Sequence, residues 1–219
     1  MKGLFVKDFK LLKNQSQSFF LIAVIFISGG MALFSDDITF ALGFPTFITS
    51  LIGLSTISYD DFDNGNAFLF TLPITRKGYV IEKYLFGLLL GCGAWIITIL
   101  LVAVVGSIRN IMPFDEIVMI SLMILPIILF LQSLMIPFQL KFGAEKGRIV
   151  ILSVLGAIFL LGLIIAKVME WSRGESSAYF VGVMVINVEG LIVLMNVVAF
   201  VVWLISMGIS ILVMNKKEF

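Results

Sequence analysis

The chain has 219 residues, of which 60% are hydrophobic and 13% are charged, so it lacks the polar surface of a soluble globule, where charged residues average about 25%. Histidine is absent and Cys92 is the single cysteine, which excludes histidine-dependent triads, histidine-ligated metals, intrachain disulfides and thiolate clusters. The net charge of +1 provides no basic excess for nucleic acid.

Six stretches of 18 to 26 uncharged residues follow one another along the chain. Each can cross a hydrocarbon core, which takes roughly 20 helical residues. They predict an all-α membrane protein with one transmembrane domain over 1–219 and spans near 15–35, 38–58, 81–107, 117–140, 148–168 and 190–215. We expect the first stretch to be retained rather than cleaved as a signal peptide, because no small-residue cleavage site follows it.

The basic residues are distributed unevenly between the predicted connections. Twelve of the 15 lysines and arginines fall in the N-terminal arm, the second and fourth connections and the C-terminal tail. Because basic residues favour the cytoplasmic side, this pattern predicts a multi-pass protein of the cell membrane with both termini in the cytoplasm.

Two segments are apolar but are not predicted to span. Residues 1–14 place Phe5 and Phe9 on one helical face and Lys7 on the other, which predicts an interfacial amphipathic helix with its lysines near anionic lipid head groups. The alternative is that this segment is the basic start of the first span. Residues 176–188 are too short to cross and predict a re-entrant or interfacial helix at the outer face, with an apolar loop as the alternative.

Few polar or small residues interrupt the predicted spans. Gln132 and Ser133 lie centrally in the fourth span, between two prolines. The favoured interpretation is that they hydrogen-bond to neighbouring helices or to backbone freed by the prolines; the alternative is a polar spot on a translocation path. Gly87 and Gly91 permit close helix approach, either within the subunit or to a partner.

The connection over residues 58–84 carries most of the local information. Pro73 is expected to end a short helix near Leu72, and Thr75 is expected to cap the helix that continues into the third span. Three interpretations are open: a solvated loop, a Mg²⁺ site built on the aspartates, which lacks a second set of carboxylates, and a coupling helix that docks into a cytoplasmic partner.

Several motifs resemble those of small ABC-2-type transporter permeases of Gram-positive bacteria, including permease subunits of exporters of amphipathic peptides such as phenol-soluble modulins. The resemblance is carried by Ser-Tyr-Asp-Asp at 58–61, Leu-Pro-Ile-Thr-Arg-Lys at 72–77 and Lys-Phe-Gly-Ala-Glu-Lys-Gly-Arg at 141–148. Two positions depart from the family pattern, since Asn66 stands where many relatives have Trp and Thr71 replaces the usual Ser.

The resemblance implies the permease subunit of an ATP-driven exporter of the type V kind, with a coupling helix between spans two and three and outer re-entrant helices between spans five and six. Two permeases, identical or different, would pair, and each would dock one cytoplasmic ABC ATPase. The chain lacks the Gly-Lys-Ser/Thr phosphate-binding motif. It is therefore not expected to be an enzyme or to bind a cofactor, metal or nucleic acid, and ATP and Mg²⁺ would be held by the ATPase.

The family pattern and the charges nominate residues for contact with the ATPase. These ATPase-coupling candidates are Tyr59, Asp60, Asp61, Asp63, Phe68, Leu72, Pro73, Arg76, Lys77 and Lys83. The second cytoplasmic loop contributes Lys141, Glu145, Lys146 and Arg148. We expect the aspartates to meet charge or backbone on the ATPase, and the basic residues of the first set to lie at lipid phosphates or the ATPase rim. The competing hypothesis is an ATP-independent membrane transport or scaffold protein.

Overall fold

A computed structural model describes residues 2–14, 30, 38–62, 65–109, 112–172 and 188–217. This part of the chain is helical and contains no strand. Its helices are α1 (Lys2–Asn14), α2 (Ile38–Asp61), α3 (Gly65–Leu69), α4 (Arg76–Arg109), α5 (Phe114–Ser172) and α6 (Val188–Lys216).

Among the described residues, four stretches of helix are long and apolar enough to cross a membrane. They are Ile38–Asp61, Arg76–Arg109, Phe114–Gly143 and Glu189–Lys216, and they overlap predicted spans two, three, four and six. Predicted span five falls in the helical part of α5 that follows Gly143. Nearly all of predicted span one, and nearly all of the predicted outer helix at 176–188, lie outside the described residues.

Gly143 divides α5 into two parts. Its φ of 78° and ψ of 176° are non-helical, and this φ lies in the region that favours glycine. A Cβ at this position would also come within 2.6 Å of Asp61 Oδ2. The kink therefore lets α5 pass against the end of α2.

Glycines allow α2, α4 and α5 to cross closely. A Cβ on Gly53 of α2 would lie 3.3 Å from the Cα atom of Gly87 on α4. A Cβ on Gly91 would lie only 2.6 Å from the side chain of Ile128 on α5. The Gly87 and Gly91 pair is thus used for packing within the chain, which decides between the two alternatives left open by the sequence.

A proline in α5 creates a polar contact with α6. Pro126 has no N–H, so the carbonyl of Leu122, four residues earlier, lacks its helical donor. Asn196 of α6 supplies one, since its Nδ2 donates to Leu122 O at 3.1 Å. In a membrane, where water cannot bond such a carbonyl, this contact satisfies a backbone group that would otherwise stay without a donor.

The second proline of α5 leads to a directional chain of hydrogen bonds. Pro137 frees the carbonyl of Ser133, and Ser206 Oγ of α6 donates to it at 2.5 Å. Because the Ser206 hydroxyl has one hydrogen, it must accept from the Tyr84 hydroxyl at 2.7 Å. Tyr84 in turn must accept from Ser210 Oγ at 2.8 Å. This chain joins α4, α5 and α6.

Gln132 and Ser133 are both buried between helices. Gln132 Oε1 accepts a hydrogen bond of 2.9 Å from Trp203 Nε1 on α6, and Ser133 Oγ donates to Leu129 O within α5 at 2.7 Å. The Gln132 contact is of the kind that the structural interpretation expects. A place on a translocation path stays a prediction for both residues.

We predict that Asn196→Ala lowers the free energy of unfolding by about 1 kcal/mol, because it removes the donor to Leu122 O. Pro126→Ala restores a backbone N–H to that carbonyl, so Asn196→Ala should cost less in this background. Thermal unfolding in detergent measures the cost of Asn196→Ala with and without Pro126→Ala. It requires the wild type, both single variants and the double variant. An equal cost in both backgrounds would contradict the assignment.

Candidate functional site

Charged side chains gather at one end of the helix bundle. Lys7 of α1 pairs with Asp60 in the last turn of α2, and Arg76, the first residue of α4, donates to the carbonyl of Met214 near the end of α6. Gly143 of α5 lies against the same region. We call this region the charged end. It brings together the four segments that the sequence predicts to share one side of the membrane.

Asp60 is paired inside the charged end. Its side chain is buried at 8% residue exposure. Its Oδ1 accepts from Lys7 Nζ, and its Oδ2 lies 2.8 Å from Lys83 Nζ and 3.1 Å from the Tyr79 hydroxyl. Both carboxylate oxygens are therefore engaged within the chain.

Lys83 lies at the centre of these contacts and is almost fully buried. Its Nζ pairs with Asp8 of α1 and with Asp60, donates to Thr56 Oγ1 of α2 at 3.2 Å, and lies 5.3 Å from the ring centroid of Tyr79. An ammonium has three donors, so these three oxygens match its capacity. Lys83 thereby joins α1, α2 and α4.

Glu82 adds a third buried carboxylate to this group. Neither of its oxygens has a hydrogen-bond partner among the described residues, and it approaches Lys83 Nζ only to 4.0 Å. Burying a charge without a partner is costly. The ion cluster, defined as Lys7, Asp8, Asp60, Glu82 and Lys83, thus holds three carboxylates against two lysines, and Glu82 is its least satisfied member.

The predicted amphipathic helix is present as α1, and its apolar face packs on α4. The rings of Phe5 and Phe9 lie 6.3 and 5.5 Å from the ring of Phe86, measured between centroids. Lys7, which was expected near lipid head groups, instead pairs with Asp60. The position of α1 at a membrane surface stays a prediction.

The short helix α3 is braced against its neighbours. Asn66 Nδ2 donates to Asp61 Oδ1 at 2.8 Å, and Leu69 is buried in the core. The ring of Phe70, just after α3, packs edge-on against Tyr79 of α4 with centroids 5.6 Å apart. The segment is therefore held by both α2 and α4.

The outer side of this segment is apolar and exposed. Phe62 and Phe68 are each 71% exposed, and Tyr59 and Leu72 are also exposed. We call these four residues the exposed patch. Exposed apolar patches are typical of surfaces that contact proteins or membranes. The sequence prediction included three of them and missed Phe62, although an aromatic residue within a run of aspartates was a visible signal.

The end of this segment follows the sequence prediction. Helix α3 ends at Leu69, and Pro73 lies in the bend before α4. Helix α4 begins at Arg76, and the backbone N–H of Gly78 donates to Thr75 Oγ1 at 3.1 Å. The predicted cap at Thr75 is thus confirmed.

The family model described as ABC-2 family transporter protein matches residues 3–215. The chain belongs to this ABC-2 family. No curated protein and no solved structure matches the chain. The resemblance to ABC-2-type permeases is thereby confirmed, and the chain is a multi-pass membrane protein of a transporter family rather than an enzyme family. Permeases of this family generally work with a cytoplasmic ATPase.

Some of the other ATPase-coupling candidates of this ABC-2 permease make contacts within the chain. Arg76 donates to the carbonyls of Met214 and Asn215 at 3.2 and 2.8 Å, so it caps the carboxyl end of α6. Lys217 pairs with Asp61 at 3.3 Å. Arg76 and the buried Lys83 thus make internal contacts where contacts with lipid or ATPase were expected.

Lys77 and Lys141 are exposed, and Lys141 Nζ lies 5.2 Å from the ring centroid of Phe142. Asp63 lies outside the described residues. For Glu145, Lys146 and Arg148 the structure describes only the helical backbone.

The structure offers no metal site in its described part, where no three acidic or cysteine side chains are arranged to hold an ion. Asp60 is engaged by Lys7 and Lys83, and Asp61 by Asn66 and Lys217. A Mg²⁺ ion would have to displace these cations. Asp60 and Asp61 are therefore counter-ions of lysines within the chain.

We predict that Lys83→Met lowers the free energy of unfolding by about 3–5 kcal/mol, because it leaves Asp8 and Asp60 buried without their shared partner. Lys77→Met is the matched control, since Lys77 is exposed on the same helix. Thermal unfolding in detergent compares the two. Similar losses from both variants would refute a central role for Lys83.

We predict opposite outcomes when two buried carboxylates are converted to amides. Asp60→Asn should destabilise the protein, because both oxygens of Asp60 bind lysines. Glu82→Gln should be neutral or stabilising, because Glu82 approaches Lys83 Nζ only to 4.0 Å and an amide of the same shape avoids burying a poorly paired carboxylate. The midpoints of thermal unfolding report both. A large loss for Glu82→Gln would show that its carboxylate has a partner.

Proposed function

We propose that this chain is the permease subunit of an ATP-driven ABC exporter that moves amphipathic peptides or other amphiphilic substrates out of the cell. The observation that carries the proposal is the family match over residues 3–215. Two such permeases, identical or different, would pair in the membrane. Each would dock one ATPase, which would hold ATP and Mg²⁺.

The exposed patch is the proposed docking surface for the ATPase. Phe68 projects from α3 and Phe62 lies just before it, both largely exposed, while Lys77 lies exposed nearby along the chain. A short helix with apolar anchors fits a groove on a partner protein. In this proposal the charged end faces the cytoplasm, which agrees with the positive-inside distribution of its lysines.

The contacts around α3 offer a route by which ATPase motion reaches the spans. Movement of α3 would pull on α2 through the Asn66–Asp61 hydrogen bond and on α4 through the Phe70–Tyr79 ring contact. The Tyr79 hydroxyl also bonds Asp60. The ends of α2 and α4 would therefore move together, and predicted spans one, two and five of the paired permeases would rearrange around the substrate.

The character of the spans supports an amphiphilic substrate. Long apolar side chains are exposed along α4 and α6, among them Leu89, Leu100, Val197 and Ile205. The ion cluster lies at the charged end, and the charge-free stretches carry no ionisable residue near their centres. Coupled ion carriers mark their path with such residues, so an apolar path driven by ATP fits this chain better.

We predict that Phe68→Ala weakens association with the ATPase and lowers ATP hydrolysis stimulated by amphipathic peptides. Phe68 is exposed, so truncation should leave the fold intact, and an aromatic anchor at an interface is worth about 2 kcal/mol or more. Co-purification of the chain with a co-expressed ABC ATPase measures the first effect, and peptide-stimulated hydrolysis in proteoliposomes measures the second.

Phe114→Ala is the matched control. Phe114 is 60% exposed and begins α5, about 45 Å of helix away from Gly143 and the charged end. Phe114→Ala should leave both the association with the ATPase and the peptide-stimulated hydrolysis unchanged. Equal effects of the two variants would refute docking at the exposed patch. Substrate movement without ATP or any ATPase would instead support the ATP-independent hypothesis.

A further inference from the structure

A groove between α5 and α6 opens at the charged end, beside the ion cluster but separate from it. It encloses about 430 Å³. Lys141 of α5 and Lys216 and Lys217 at the end of α6 line it. Lys216 lies in the last turn of α6, where a cation also suits the helix dipole.

Among the described residues, the charged side chains that line the groove are all basic. Lys217 pairs with Asp61 at 3.3 Å. Within the described part of the chain, Lys141 and Lys216 have no carboxylate within ion-pair distance, and both are exposed. Two lysines are thus available to bind an anion from outside the chain.

The rest of the groove is lined by apolar side chains. Ile209 and Leu212 of α6 are at least half exposed, and with Val213 they form its floor below the lysines. These residues end a helix that is long enough to span. An apolar floor beneath a basic rim fits a ligand with an anionic head and a hydrocarbon tail.

We propose that this groove binds an anionic phospholipid, with its phosphate held by Lys141 and Lys216 and an acyl chain on the floor formed by Ile209 and Leu212. Charge complementarity selects an anionic lipid over a zwitterionic one, because each lysine near a membrane surface favours anionic head groups. A soluble phosphate compound would satisfy the lysines and leave the floor uncovered. The proposal does not depend on transport being driven by ATP.

Lys217 gives the site a connection to the rest of the charged end. Its Nζ lines the groove and also pairs with Asp61, which holds α3 through Asn66. A bound phosphate would therefore compete with Asp61 for Lys217. Occupancy of the groove would thus be communicated to the segment that carries the exposed patch.

The test uses the full-length chain in detergent and native mass spectrometry with phosphatidylglycerol and phosphatidylcholine of identical acyl chains. The wild type should retain phosphatidylglycerol preferentially. The double variant Lys141→Gln/Lys216→Gln should bind it about tenfold more weakly or worse, as expected from two lysines near a lipid head group. Glycerol phosphate, which has the head group without the chains, should not displace the bound lipid.

The charge-matched control is Lys2→Gln/Lys77→Gln, which neutralises two exposed lysines elsewhere on the charged end. It should retain phosphatidylglycerol as the wild type does, and both double variants should unfold at the wild-type temperature because all four lysines are exposed. Equal losses in the two variants, equal retention of both lipids, or displacement by glycerol phosphate would each overturn the proposal.

Discussion

The burial of one ammonium group organises the charged end of this permease. Lys83 lies near the start of a long apolar helix, and its charge can be buried only if counter-ions surround it. Asp8 comes from α1 and Asp60 from the last turn of α2. Three elements that are far apart in sequence must therefore meet at one point. The packing of Phe5 and Phe9 on Phe86 then follows from where α1 has been placed.

A second constraint acts deeper in the bundle, where backbone groups cannot rely on water. The two prolines of α5 free the carbonyls of Leu122 and Ser133, and α6 supplies Asn196 and Ser206 as donors. These contacts fix α6 against α5 in rotation as well as in distance, because a donor displaced by one residue would face lipid. Apolar packing alone would specify this register less sharply, since lipid tails are as apolar as the helix faces.

The sequence predicts the elements of this protein better than their contacts. Charge-free length predicts the spans because hydrocarbon thickness sets it, and Pro73 and Thr75 predict a local break and cap. Which charged residues form ion pairs is harder to predict, since a charge at a span boundary can face either water or a neighbouring helix. Helical spacing, however, indicates which of these charges face a neighbouring helix. Asp8 shares its face with Leu4 and Leu12, and the helical face of Lys83 continues through Gly87 and Gly91; all of these residues are buried.

Part of the charged end inverts the usual placement of residue types. Asp60 and Lys83 are buried, whereas Phe62 and Phe68 are exposed. The inversion separates two roles that the sequence suggested were combined in one run of residues. Asp60 acts through the ion cluster, so its substitution changes how α1, α2 and α4 are held together. Phe62 and Phe68 contribute little to that core and remain exposed. In the proposed docking, a partner that binds Phe62 and Phe68 would move α3. The Asn66–Asp61 hydrogen bond and the Phe70–Tyr79 ring contact would then transmit that motion to α2 and α4, while the contacts of Asp60 with Lys7 and Lys83 hold the ends of the helices together.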